Sequence, residues 1–326
     1  MGSHSGPSFF PTPAFDHAFA GIGAGTVAVL CMHPLDLLKV QFQVATTPPS
    51  GSFNPLRQMY TALGDIKRTS GFQGLYRGLS ANVAGNATSW GMYFWFYTMA
   101  KRQMTHGDPN APISPGQYLL ASAEASAITA LLTNPLWVVK VRMFTTRRDS
   151  PNAYRGVIHG LTTIARTEGI RGLWLGTTLA LFGVTNGSIQ FMAYEQMKKW
   201  GFTAKRKRVL DRGGEWKGEE EKLSNTAYTI MSATAKLLAL SSTYPYQVVR
   251  SRIQNYATRD RYPDITTTVK RTWAEEGARG FYRGLATNLV RVLPGTCVTF
   301  VVYENLAWLL RTQAAKKHTN VAVEHK

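Results

Sequence analysis

Side chains able to pair charge recur at fixed offsets from a proline three times in this 326-residue chain. The segments are Pro34-Leu35-Asp36-Leu37-Leu38-Lys39-Val40-Gln41, Pro135-Leu136-Trp137-Val138-Val139-Lys140-Val141-Arg142 and Pro245-Tyr246-Gln247-Val248-Val249-Arg250-Ser251-Arg252. Five residues after each proline stands a base: Lys39, Lys140 or Arg250. Two residues after it stand Asp36, Trp137 and Gln247. The chemistry open to such a set is electrostatic. A carboxylate can pair with a base of another segment, an indole face can hold a cation, and an amide can accept one charge-assisted hydrogen bond. A second echo follows each segment: Gly71 before Leu75-Tyr76-Arg77-Gly78, Glu168-Gly169 before Leu173-Trp174-Leu175-Gly176, and Glu276-Gly277 before Phe281-Tyr282-Arg283-Gly284. Six matches in one order at near-equal spacing mark three copies of a single unit.

The elements that position these groups follow from the stretches around them. Six long segments, roughly 15–46, 78–103, 115–146, 176–201, 224–255 and 285–312, are rich in Ala, Val, Leu, Gly, Phe and Trp and poor in charge. Each is long enough to cross a hydrocarbon core of about 30 Å as a helix. Their scattered Gly, Ser, Thr and Asn suit helices with one face on lipid and another on water or a neighbour. Between the paired segments, 54–70, 154–168 and 263–276 carry apolar residues three and four apart, as in Ile158, Leu161, Ile164 and Ala165. Each reads as an amphipathic helix lying at a membrane surface. Residues 202–223 read as a charged, solvated, mobile linker, with the Lys205 to Arg208 cluster in a loop. Pro34, Pro135 and Pro245 are expected to bend the first helix of each unit inward, because proline removes a helical hydrogen bond. A threefold ring of acid and base positions would then close one face of a bundle.

The net charge of +18 and pI near 10 point to anionic partners. Nucleic acid is disfavoured: no zinc-finger spacing and no aromatic RNA-binding box is present. Catalysis finds no support, since there is no nucleophile–base pairing and no metal-ligand cluster, so no catalytic or metal-binding residue is assigned. Gly21-Ile22-Gly23-Ala24-Gly25 suits close helix packing better than dinucleotide binding. Cys31 and Cys297 lie far apart inside apolar segments and read as buried, inert thiols. No cleaved secretory signal is evident, and Gly6 stands where N-myristoylation wants Ser or Thr.

Two further bases, Lys236 and Arg291, fall at lumen depth in their spans. An unpaired base there is costly unless it serves a solute; Glu124 is the alternative partner for one of them. Trp90, Tyr93 and Trp95 are too frequent for one face, so most should meet lipid or the interface.

The triplicated Pro-x-acid-x-x-base motif with its later aromatic-base-Gly element resembles the mitochondrial carrier family over residues 15–312. The resemblance implies an all-α membrane protein: six transmembrane helices in a pseudo-threefold bundle, with a short matrix-side surface helix in each repeat. It implies repeats over 15–105, 115–201 and 224–312, tails at 1–14 and 313–326, and the linker at 202–223. It further implies a monomer in the inner mitochondrial membrane, both termini toward the intermembrane space, working by alternating access.

Carried over residue by residue, the matrix gate is Asp36, Lys39, Lys140, Gln247 and Arg250, braced by Gln43 and Gln254 with Phe144 as the odd third. Asp36 would pair with Lys140, Trp137 would face Arg250, and Gln247 would face Lys39. The opposite, cytoplasmic gate is Lys101, Glu195, Lys198 and Glu304, with Glu304–Lys101 its one complete pair. Arg77, Gly78, Trp174, Gly176, Arg283 and Gly284 resemble cardiolipin sites, weakest at Leu175 where a base is usual. Trp137 and the Pro245-Tyr246-Gln247 sequence resemble the branch carrying FAD or folate more than those carrying NAD or pyrimidine nucleotides. Arg291, Lys236 and Arg250 would then grip the pyrophosphate of FAD, with Trp137 and Asn86 near its rings. FAD is transported solute in this reading, and no prosthetic cofactor is implied. A proton leak or channel in the same fold is the alternative of another class.

Overall fold

The computed structural model describes residues 9–10, 13–45, 54–105, 108, 113–146, 150, 153–213 and 223–324. Among these residues there are helices and turns but no strand. The first unit consists of α1 (Pro13–Val44), α2 (Pro55–Leu75) and α3 (Leu79–Met104). The second has α4 (Pro115–Thr145), α5 (Val157–Glu168), α6 (Ile170–Leu173), α7 (Thr177–Phe182) and α8 (Thr185–Asp211). The third has α9 (Asn225–Gln254), a 3-10 turn at Tyr256–Thr258, α10 (Ile265–Gly280) and α11 (Leu285–Glu324).

The helix starts are written locally. Ser114 accepts from the Gln117 backbone N–H while the Gln117 side chain returns a bond, and Pro115 occupies the first turn. Ser224 caps α9 through Ala227, and Asp264 caps α10 through Thr267. Pro34, Pro135 and Pro245 lie inside α1, α4 and α9. Each surface helix breaks at a glycine of positive φ: Gly71 at 65°, Gly169 at 71° and Gly277 at 61°. A second glycine set precedes α3, α7 and α11: Gly78, Gly176 and Gly284, with φ of 73°, 73° and 81°. At Gly284 a Cβ would also come within 2.9 Å of the Lys39 carbonyl oxygen, so close backbone approach excludes a side chain there.

The most extensive helix contacts join different units: α1 packs on α11, α3 on α4, and α8 on α9. The long helices within a unit touch far less, and between α4 and α7–α8 lies a cleft of about 540 Å³ lined by Tyr118, Ser122, Ser126, Gly183, Asn186 and Phe191. Burial concentrates at the proline end. Leu37 and Leu38, Val138 and Val139, and Val248 and Val249 occupy equivalent places in the three units and are at most 3% exposed. An apolar girdle therefore stands beside the paired polar groups.

Helices α1 and α11 contain stretches apolar enough to cross a bilayer, Phe19–Val44 and Leu285–Ala314. The other long helices carry more polar residues. The fourth expected span keeps right-handed helical backbone through Gly183 and Val184 but tightens between α7 and α8, where the Val184 N–H reaches the Leu181 carbonyl and a Cβ added at Gly183 would sit 2.8 Å from the Tyr246 hydroxyl. Residues 202–211 are helical rather than a loop, continuing α8, so the Lys205 to Arg208 cluster is borne on a helix. The remainder of the expected linker, 214–222, lies outside the described residues. Helix α11 likewise runs past residue 312 to Glu324, and Cys297 on it, like Cys31 on α1, is exposed rather than buried because it lies on an outward helix face. Trp90 and Trp95 are 58% and 68% exposed, as an outward face requires, whereas Tyr93 shares a 3.0 Å hydrogen bond with Ser122 of α4.

Candidate functional site

At the proline end α1, α4 and α9 bring their bases together, and one of the three expected contacts forms as expected. Lys39 donates to Gln247 Oε1 at 3.2 Å. Asp36 does not pair with Lys140. Its nearest base is Arg291 of α11, with Nε 3.1 Å from Oδ1, and Asn82 of α3 donates to its other oxygen at 3.2 Å. Trp137 does not hold Arg250 either. The cation over its ring is Lys140, one helical turn on, at 4.7 Å, with Phe144 on another side at 5.3 Å. Arg250 donates instead to Asn134 Oδ1 at 3.0 Å. The reason is geometric: Trp137 and Lys140 lie three apart on one helix, so the nearest cation for the indole is its own neighbour.

The two glutamines do not brace these contacts. Gln43 donates to the Tyr244 hydroxyl at 3.1 Å and accepts from Ser251 at 2.8 Å, tying α1 to α9. Gln254 donates to the Leu175 carbonyl at 3.0 Å, tying α9 to the turn before α7. Both act between units. Phe144 is fully buried, and its carbonyl accepts from Gln41 and from Arg77.

Above this layer lie the remaining residues assigned to a solute. Arg291, expected as a free base, is paired with Asp36 and donates to Asn288 at 3.3 Å. Lys236 donates to Gln190 at 3.1 Å. Glu124 is exposed and partners neither. Asn86 donates to the carbonyl and side chain of Asn82, at 2.8 and 2.9 Å, which places it one link from Asp36. The Trp137 ring lies 4.0 Å from where a Cβ on Gly85, the residue before Asn86 in α3, would stand. Lys39, Lys140 and Arg291 act electrostatically on Asp36, Arg250 acts on Lys39 and Lys140, and Arg291 also acts on Lys236. Three bases thus surround one carboxylate, with Arg250 and Lys236 linked to the set through them.

At the opposite end no ion pair joins the units among the described residues. Lys101 sits over the rings of Tyr97 and Tyr118, at 5.8 and 5.3 Å, rather than on Glu304. Glu195 pairs within its own helix with Lys198 at 3.5 Å. Among the described residues, ion pairs join the units at the proline end only.

Sequence reasoning missed the deepest ion pairs. Arg142 meets Glu168 through both oxygens, one contact being 2.8 Å, and Arg252 meets Glu276 at 2.8 Å. Exposures are 1% and 6% in the first pair and 0% and 5% in the second. Arg259 adds to Glu168, and Arg283 adds to Glu276 at 2.6 Å. A signal was available: in the first unit both partners are replaced together, by Gln41 and Ser70. The bases assigned to lipid are also occupied inside the protein. Arg77 donates to the Phe144 carbonyl and Arg283 to that of Ala45 at 2.7 Å, each crossing between units. Tyr76, Trp174 and Tyr282 remain outward, at 43%, 42% and 43% exposure. A cavity of about 700 Å³ opens beside Tyr76, Gly78, Tyr154 and Arg155.

A family model described as mitochondrial carrier protein matches residues 10–108, 111–205 and 221–314. The mitochondrial FAD carrier protein FLX1 of Saccharomyces cerevisiae is 34% identical, over 90% of this chain and 97% of its own length. A chloroplastic folate transporter of Arabidopsis thaliana is 36% identical, over 93% and 98%. A chloroplastic nicotinamide adenine dinucleotide transporter from the same plant is 35% identical, over 94% and 95%.

Proposed function

Because this chain belongs to the mitochondrial carrier family, a family of membrane-embedded solute transporters built from three repeats, we propose that it carries FAD across the inner mitochondrial membrane by alternating access. The carrying observation is the surplus of bases at the proline end: Lys39, Lys140 and Arg291 around the carboxylate of Asp36, with Arg250 and Lys236 linked to them. Such an excess of positive charge in a low-dielectric lumen calls for an anion. FAD brings two phosphates for Arg291, Lys236 and Arg250, and flat rings for Trp137 and the Asn86 region. The likeness to an FAD carrier supports the same reading. The second reading is folate, an anionic pteridine, favoured by the likeness to a folate transporter.

In this reading the arrangement is the state open toward the intermembrane space, where both termini would lie. Asp36, Lys39, Lys140, Gln247 and Arg250 then form the matrix gate, with Gln43 and Gln254 beside it, and Lys101, Glu195, Lys198 and Glu304 the opposite one. The cavity beside Tyr76, Arg77 and Gly78 would take an acidic lipid headgroup against the free N–H groups of α3. Leu175 makes the equivalent place near Trp174 and Gly176 the weakest, with Arg283 and Gly284 forming the third. The test is uptake into liposomes loaded with FAD, folate, NAD or a pyrimidine nucleotide. External FAD should enter faster into FAD-loaded vesicles than into empty ones. Equal leak of all solutes with no stimulation by internal FAD would replace the carrier reading with a channel.

A further inference from the structure

Helix α8 does not stop where its span is expected to end. It continues to Asp211, and between Trp200 and Gly213 it carries Lys205, Arg206, Lys207, Arg208 and Arg212 against Asp211 as the one acid. Arg206, Lys207, Arg208 and Arg212 are exposed, and their side chains make no ion pair or hydrogen bond among the described residues.

The direction of this surface follows from the helix itself. Gln190 meets Lys236 of α9, Phe191 lines the cleft against α4, and Gly201 abuts Met231 of α9. At 100° per residue, the arc opposite Gln190 and Phe191 holds Met192, Lys199, Trp200, Arg206, Lys207 and Leu210. Met192, Trp200 and Leu210 on it are 67%, 63% and 52% exposed. The outward side of the span therefore continues without a break into the basic turns. An exposed Trp is the side chain that settles at headgroup depth. Lys207 lies about 10 Å further along the axis at 1.5 Å per residue, near enough for long basic stems to reach back.

We propose that this basic end of α8 is a docking surface for the acidic phospholipid headgroups of the leaflet from which it emerges. The occupant follows from charge complementarity and position: bases clustered next to a spanning helix attract anionic lipid within a Debye length, and this arc adjoins the lipid-facing side rather than the cavity. The surface lies at the opposite end of the bundle from the Tyr76 cavity.

The test uses the full chain carrying Thr203→Cys in a Cys31→Ser, Cys297→Ser background, with a nitroxide on the new thiol. Its accessibility to a water-soluble relaxing agent is measured in vesicles of phosphatidylcholine alone and with phosphatidylglycerol added. Acidic lipid should lower accessibility at least threefold, high salt should reverse this, and Lys199→Gln, Arg206→Gln, Lys207→Gln together, the three bases of the outward arc, should abolish it. Gln keeps helix propensity, and unchanged helical circular dichroism would show that the triple variant folds. Accessibility independent of lipid charge, or a response retained by the triple variant, would overturn the proposal. The same fall produced in neutral vesicles by FAD alone would assign these bases to the solute instead, and overturn it equally.

Discussion

Arg291 and Asp36 hold each other 3.1 Å apart. On the proposed reading an anion bound by Arg291 competes with that carboxylate, so binding loosens one polar tie between α1 and α11. Arg291→Ala should reduce FAD uptake at sub-saturating substrate by at least tenfold, the factor that about 1.4 kcal/mol supplies; unchanged uptake removes Arg291 from the solute site. Asp36→Asn strands Arg291, Lys39 and Lys140 without their carboxylate, whereas Gln247→Ala removes one hydrogen bond to Lys39. Initial transport rates should therefore fall much further for Asp36→Asn, and equal rates would refute a latch centred on that carboxylate. The Lys39–Gln247 contact was legible from repeat spacing because both ends sit on the repeated proline motif. Asp36–Arg291 was not, because its second partner comes from α11, outside that motif, and only helix tilt decides which base arrives first.

Among the elements, the surface helices α5 and α10 are pinned by buried carboxylates. Glu276→Gln leaves Arg252 and Arg283 short of an anion at a site 5% exposed, and breaking one side of a buried pair costs about 3–5 kcal/mol. The thermal midpoint in detergent should drop by several degrees, while Ser70→Ala, at the matching place in α2, should leave it unmoved. Gly284→Ala forces a Cβ into positive φ and against the Lys39 carbonyl. It should lower the midpoint by an amount matching about 1–3 kcal/mol. Helix existence was largely written in the sequence, through Pro115, Ser114 and the positive-φ glycines. The extent of α8 was not. Lys205 to Arg208 look like a solvated linker by charge, yet Lys, Arg, Ala and Leu are strong helix formers and no Gly or Pro interrupts them before Gly213.

For the molecule as a whole, the three units share a fold but not a fastening. Arg142–Glu168 ties α4 to α5 and Arg252–Glu276 ties α9 to α10, and Gln41 with Ser70 leaves the first unit without the equivalent. Threefold placement of the prolines made the bundle readable. The same placement concealed this inequality, since burial depth rather than motif identity sets the strength of each tie. Amide hydrogen exchange should be faster in α2 than in α5 and α10, by about tenfold for each 1.4 kcal/mol of missing stabilisation. Equal exchange in all three would show that apolar packing alone fixes them. A ring of three staves with one rivet left out does not open evenly around its rim. It has a preferred place to give, and a cycle that begins at one corner has an order of steps as well as two end states.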